Sequence, residues 1–103
     1  MSKYKLTSLA EGDLIEIWQY IAEDNPNAAD GMLDYLHAQC NAIAKNPHFG
    51  KLREDLAKNL FVSVAGKSSW RSQYLIYYRI QNYGIEVDRI LEGHQDINQN
   101  FFD

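Results

Sequence analysis

Four arginines, Arg53, Arg71, Arg79 and Arg89, and two acid-base groups near the end of the chain, Glu92 and His94, are the side chains best suited to act on a phosphate. A metal-free ribonuclease needs only a base, an acid and cations around the scissile group. Arg79 and Arg89 stand out because each lies in a strand-like run, Tyr74-Leu75-Ile76-Tyr77-Tyr78-Arg79-Ile80 and Ile85-Glu86-Val87-Asp88-Arg89-Ile90-Leu91. An arginine among β-branched and aromatic residues is costly if buried unpaired, so it must reach a groove, a partner or water. Glu86, Asp88 and Asp96 dilute the positive field that would attract RNA, and they offer the strand arginines structural partners. Recognition is the second use of the same residues. Exposed aromatic rings beside arginine are common in protein-binding grooves, and Trp70 and Tyr78 supply rings next to Arg71 and Arg79.

Other chemistries are poorly served. His37 and Cys40 lie one helical turn apart, but two further ligands at sensible spacing are missing, and His48 and His94 are isolated. No metal site is expected: Cys40 reads as a small buried hydrophobe and His37 as a residue of the solvated flank. Ser63, Ser68, Ser69 and Ser72 have no nearby histidine or nucleophile elbow, and no glycine-rich phosphate loop is present, so no cofactor is expected.

The elements that must position these residues follow from periodicity. Tyr4-Lys5-Leu6 alternates as a short N-terminal strand. Ser8-Leu9-Ala10-Glu11 has capping-box spacing and predicts a helix start at Ser8. Ala10, Leu14, Ile17, Trp18 and Ile21 form its apolar stripe and leave Glu11, Asp13, Glu16, Gln19 and Glu23 outside. Asn25-Pro26 starts a second helix at once, with Ala29, Met32, Leu33, Leu36, Cys40 and Ile43 as its stripe, ended by Asn46-Pro47 and Gly50. From residue 60 the period changes: Leu60, Val62 and Val64 alternate, Trp70 to Ile80 reads as a central strand, and Asn82-Tyr83-Gly84 turns into a last strand from Ile85 to Leu91. The expected fold is α+β, one domain over residues 1–103: an N-terminal strand, then an antiparallel α-helical hairpin packed on a small antiparallel β-sheet. Phe101 and Phe102, in a polar tail, should dock back on the sheet or meet a partner.

Composition narrows the setting. With 103 residues, 46% of them hydrophobic, the chain suits one core, and no stretch approaches the roughly 18 apolar residues of a membrane span. A soluble, cytoplasmic protein is expected, in keeping with a single cysteine. The net charge of -4 opposes nucleic-acid binding by the whole surface. The charge is uneven, however: residues 1–47 carry the acidic excess, while Lys51, Arg53, Lys58, Lys67, Arg71 and Arg79 are opposed only by Glu54 and Asp55.

This order of elements, with Leu6-Thr7, Ala10, Asp13-Leu14 and Ile17, Ala28-Ala29, Asn46-Pro47, Gly50 and Arg53, Tyr74 to Arg79, Gly84-Ile85, Arg89-Ile90-Leu91 and Asp96-Ile97, resembles the RelE/ParE superfamily of small bacterial toxins, the ParE branch in particular. The resemblance implies the toxin of a type II toxin-antitoxin pair, of the kind linked to plasmid stabilisation and bacterial stress response. It implies a hetero-oligomer with a cognate ParD-like antitoxin whose C-terminal segment wraps over the toxin. ParE-like members act on DNA gyrase without cutting nucleic acid, whereas RelE-like members cut messenger RNA on the ribosome. Two departures separate the branches here. The family commonly has a histidine after the strand's leucine and an arginine before the aspartate; this chain has Glu92 after Leu91 and Gln95 before Asp96. Losing that arginine favours the ParE-like reading. On it no residue is catalytic, and Arg53, Trp70, Arg71, Tyr78, Arg79 and Arg89 contact antitoxin or target. Glu92 and His94 would serve as acid-base groups only in the alternative, a ribosome-dependent endoribonuclease; a non-toxic antitoxin-binding relative is the third reading. An extended antitoxin segment could add to a sheet edge and an amphipathic helix could fill a groove between hairpin and sheet, with acidic residues complementing the stretch from Lys51 to Arg79.

Overall fold

Thr7 decides where the first strand stops and the first helix starts. In the computed structural model, which describes residues 2–67 and 73–102, β1 spans Lys3–Leu6 and α1 spans Ser8–Ala22. Thr7 keeps an extended backbone, and its amide donates to the Val87 carbonyl at 3.0 Å. Its hydroxyl accepts from the Ala10 amide at 3.1 Å and donates to the Asp88 carbonyl at 2.8 Å. The N-cap is therefore Thr7, one residue ahead of the Ser8 that capping-box spacing suggests, because the strand pairing holds Thr7 extended where a cap must be.

Asn25 caps α2 (Pro26–Lys45), whose first-turn proline lacks only an amide that would be unsatisfied anyway. The two helices form the expected hairpin, tied by a Trp18 indole donating to Asp30 at 2.8 Å. A 3-10 turn over Pro47–Phe49 leads into β2 (Lys51–Leu52), β3 (Phe61–Ala65), β4 (Tyr74–Gln81) and β5 (Gly84–Glu92). The sheet order is β1-β5-β4-β3-β2. All neighbours are antiparallel except β1, which runs parallel to β5 along Lys3↔Gly84 to Leu6↔Val87. The fold class holds, with a parallel edge and the two-residue β2 as additions.

Both faces of the sheet are covered. On one, Ala10, Leu14, Leu36, Cys40 and Ala44 of the hairpin pack on Ile76, Tyr78, Ile85, Val87 and Ile90. On the other, Leu56, Leu60, Tyr77 and Leu91 form a smaller core, closed by Ile97, Phe101 and Phe102. The tail thus docks back, with the Phe102 ring 4.9 Å from that of Tyr77. Gly84, at φ +143°, has the left-handed conformation that glycine tolerates, and a Cβ there would stand 1.9 Å from the Lys3 carbonyl oxygen. His37, expected on the solvated flank, is instead half-buried, its Nδ1 2.8 Å from the Tyr4 hydroxyl.

Cys40 is buried, and that burial pushes its thiol up to about 12 from an ordinary 9.0. The neutral form is the one the core accepts, so this contribution to stability is complete below pH 9.0 and is lost as pH rises toward about 12. At pH 8 the native thiol should react with a disulfide reagent at least roughly a hundredfold slower than in denaturant. Equal rates in the two states would contradict its burial.

Candidate functional site

The strand arginines are explained by the edge of β5. Because β1 pairs only as far as Val87, the rest of that edge needs other partners for its backbone groups. The Thr7 hydroxyl takes the Asp88 carbonyl, and Asp13 of α1 accepts the Ile90 amide through Oδ2 at 2.9 Å. Arg89 then closes a two-pronged bond on the same carboxylate, Nε to Oδ2 and Nη2 to Oδ1, each 2.8 Å. Its Nη1 donates to the Phe101 carbonyl at 3.1 Å, and the Phe101 ring centre lies 5.4 Å from the guanidinium carbon. The Asp13 side chain is 7% exposed and that of Arg89 16%. The hydrogen bonding to Asp13, against the cost of burial, raises the Arg89 guanidinium above its usual value.

Asp13 was expected on the solvated face of α1, and the structure buries it. This turn of the helix meets the open edge of β5, so a position flanking the apolar stripe meets unpaired strand backbone rather than water.

A bulge positions the other pair. Tyr77 opposes Arg89 while Tyr78 opposes Val87, which leaves Asp88 as the extra residue. Asp88 forms an ion pair with Arg79, whose Nε also donates to the Lys58 carbonyl at 3.1 Å. Arg53 makes two 2.9 Å bonds to Asp55 in a more exposed setting. That hydrogen bonding holds the Asp55 carboxyl below its usual range. Each of these three arginines has a carboxylate partner from this chain, and only that of Arg53 was adjacent in sequence.

The remaining expected site residues are dispersed. Tyr78 is 0% exposed and donates its hydroxyl to the Pro47 carbonyl at 2.6 Å. It is a core residue and not an exposed anchor, since it lies on the face that the helical hairpin covers. Trp70 and Arg71 lie outside the described residues. Glu92 lines a cleft of about 310 Å³ with Asp13, Glu16, Tyr20, Tyr74 and Arg89, whereas His94 is exposed in the turn beyond β5 and does not line it. Burial first, then the charge of Glu92, raises the Tyr74 hydroxyl. Three carboxylates face one already bonded guanidinium in this cleft, so its field opposes a phosphate.

More open surface lies elsewhere. Leu6, Leu14, Ile15, Trp18 and Leu33 line an apolar groove of about 470 Å³ along the hairpin, rimmed by Glu11 and His37. Among the described residues no cluster of histidine, cysteine and carboxylate side chains fits a metal ion, and no helix is long and apolar enough to cross a membrane. The residues missed from sequence are Thr7 and Asp13, whose partners in β5 are about as distant along the chain as the fold permits.

Residues 4–97 match the family described as ParE toxin of type II toxin-antitoxin system, parDE. Among solved structures, the chain is similar to one from the chromosomal ParDE TA system of P. aeruginosa, with a TM-score of 0.64 and 21% identity, covering 88% of this chain and 95% of that one. No curated protein matches.

Proposed function

Since the chain belongs to the ParE toxin family of type II toxin-antitoxin systems, we propose that it is neutralised by a cognate ParD-like antitoxin and, when released, inhibits DNA gyrase in the cytoplasm. It does so by binding and not by catalysis, as is general for the family. The observation that carries this reading is the internal pairing of Arg53, Arg79 and Arg89 with Asp55, Asp88 and Asp13. A nuclease must offer cations to a scissile phosphate, and a guanidinium already held by a carboxylate offers much less. The acidic surroundings of Glu92 and the separation of His94 point the same way.

On this proposal the antitoxin covers the apolar groove of the hairpin and a free sheet edge. Arg53 and the exposed parts of Arg79 contribute rim contacts, with Trp70 and Arg71 assigned to the same surface from sequence. Arg89 shapes that surface by holding α1 and the tail in place. Purified gyrase provides the test. Adding the toxin should stop supercoiling and accumulate cleaved DNA, and adding the antitoxin should reverse both. Unimpaired gyrase together with cut messenger RNA in a translation mixture would overturn the proposal in favour of an endoribonuclease.

A further inference from the structure

The most exposed large apolar side chain in the described structure is Phe49, at 88%, and its exposure is built in. The turn that carries it is clamped to the core: Tyr78 holds the Pro47 carbonyl, the Phe49 amide donates to the Asn46 carbonyl at 3.2 Å, and Gly50 lies so close to Tyr78 that a Cβ would stand 2.1 Å from its hydroxyl oxygen. The backbone beneath Phe49 is therefore held in place, and the ring projects from a fixed turn. Three residues on, Leu52 of the edge strand β2 is 49% exposed. Beside Phe49 is a shallow cleft of about 230 Å³ formed by residues 45–49.

The charges flanking this protrusion in the chain are cationic, and the carboxylate that Lys51 reaches, Asp55, is already held by Arg53. No carboxylate occurs between Asp34 and Glu54, while Lys45 and Lys51 flank the phenylalanine and are both exposed. A rigid aromatic knob with a cationic rim suits a partner with an apolar pocket and acidic borders. Duplex DNA is a poorer match, because binding through phosphates draws on many cations and the chain as a whole carries a net charge of -4.

We infer that Phe49, with Leu52 and the Lys45 and Lys51 rim, is an anchor for an acidic, apolar segment of the antitoxin. This rests on the proposed function. Of the two partners proposed there, the antitoxin is the one that accompanies the toxin continuously, and an exposed phenylalanine is best covered by such a lasting partner.

The test measures binding of the full chain to its full-length antitoxin, with thermal unfolding as control. Phe49→Ser should weaken binding on the order of 30-fold, the scale of an interface hot spot, and leave the unfolding temperature unchanged. Lys45→Glu and Lys51→Glu should slow association and flatten its dependence on salt. Unaltered affinity in Phe49→Ser would overturn this inference alone. A wild-type chain that binds no antitoxin would overturn the parent proposal and this one together. Intact antitoxin binding with lost action on gyrase would assign the knob to the target, and lost binding to a duplex DNA probe would assign it to nucleic acid; either outcome also overturns the inference.

Discussion

Asp13→Ala should lower the free energy of unfolding by about 3–5 kcal/mol, the usual cost of breaking a buried ion pair by removing one member. The substitution leaves the Arg89 guanidinium with two of its bonds missing and the Ile90 amide with no acceptor. An orphaned buried amide alone costs about 1–3 kcal/mol. Against a typical domain stability of about 5–15 kcal/mol, the loss is large enough to appear as partial unfolding at physiological temperature. Asp13→Asn should cost less, because an amide oxygen can still accept from Ile90 while the charge is lost. Urea titration at constant m-value measures both. A loss below about 1 kcal/mol for Asp13→Ala would mean that the pair behaves as a surface bridge. Arg89→Ala should be similarly destabilising, and toxicity should fall with the folded fraction.

Gly84→Ala should be comparably severe for a different reason. Glycine there adopts φ +143°, and the added methyl would collide with the Lys3 carbonyl at 1.9 Å and its amide nitrogen at 2.7 Å. These are backbone atoms of the neighbouring strand and no side chain can swing aside. The bond from the Lys3 amide to the Tyr83 carbonyl and the pairing of Lys3 with Gly84 must then be given up, and the rest of β1 is loosened with them. Strain and lost pairing together should cost about 2–4 kcal/mol. Hydrogen exchange locates the damage: protection should vanish across β1 before it falls in β4. Stability unchanged within about 0.5 kcal/mol would show that the turn relaxes easily.

Most elements were legible because apolar residues recur at 3.6 in the hairpin and at 2 in the later strands. Partnership between elements was less so. Alternation marks Tyr77 and Tyr78 as pointing to opposite faces, but not which face the helices cover, and so Tyr78 could be taken for an exposed ring. The bulge at Asp88 shifts the phase of β5 by one residue and sets Arg89 beside the tail, which no simple alternation signals. Asp13 looked solvated because helix periodicity describes a helix lying on a sheet, whereas this turn of α1 meets a strand edge. β2 is too short for any periodic signal, and a parallel partner for β1 leaves no mark in composition. The knob at Phe49 was visible only as an Asn-Pro helix stop.

The Arg89 guanidinium joins three separate parts of the chain: the first helix through Asp13, the last strand that carries it, and the tail through Phe101. Asp13 is made early in synthesis and waits for a partner 76 residues later, which in turn completes its bonds with a carbonyl 12 residues beyond itself. A growing chain therefore holds an unmatched carboxylate until Arg89 has been made. Closing this junction needs contacts far apart along the chain, so the seating of the first helix on the sheet is a late step of folding.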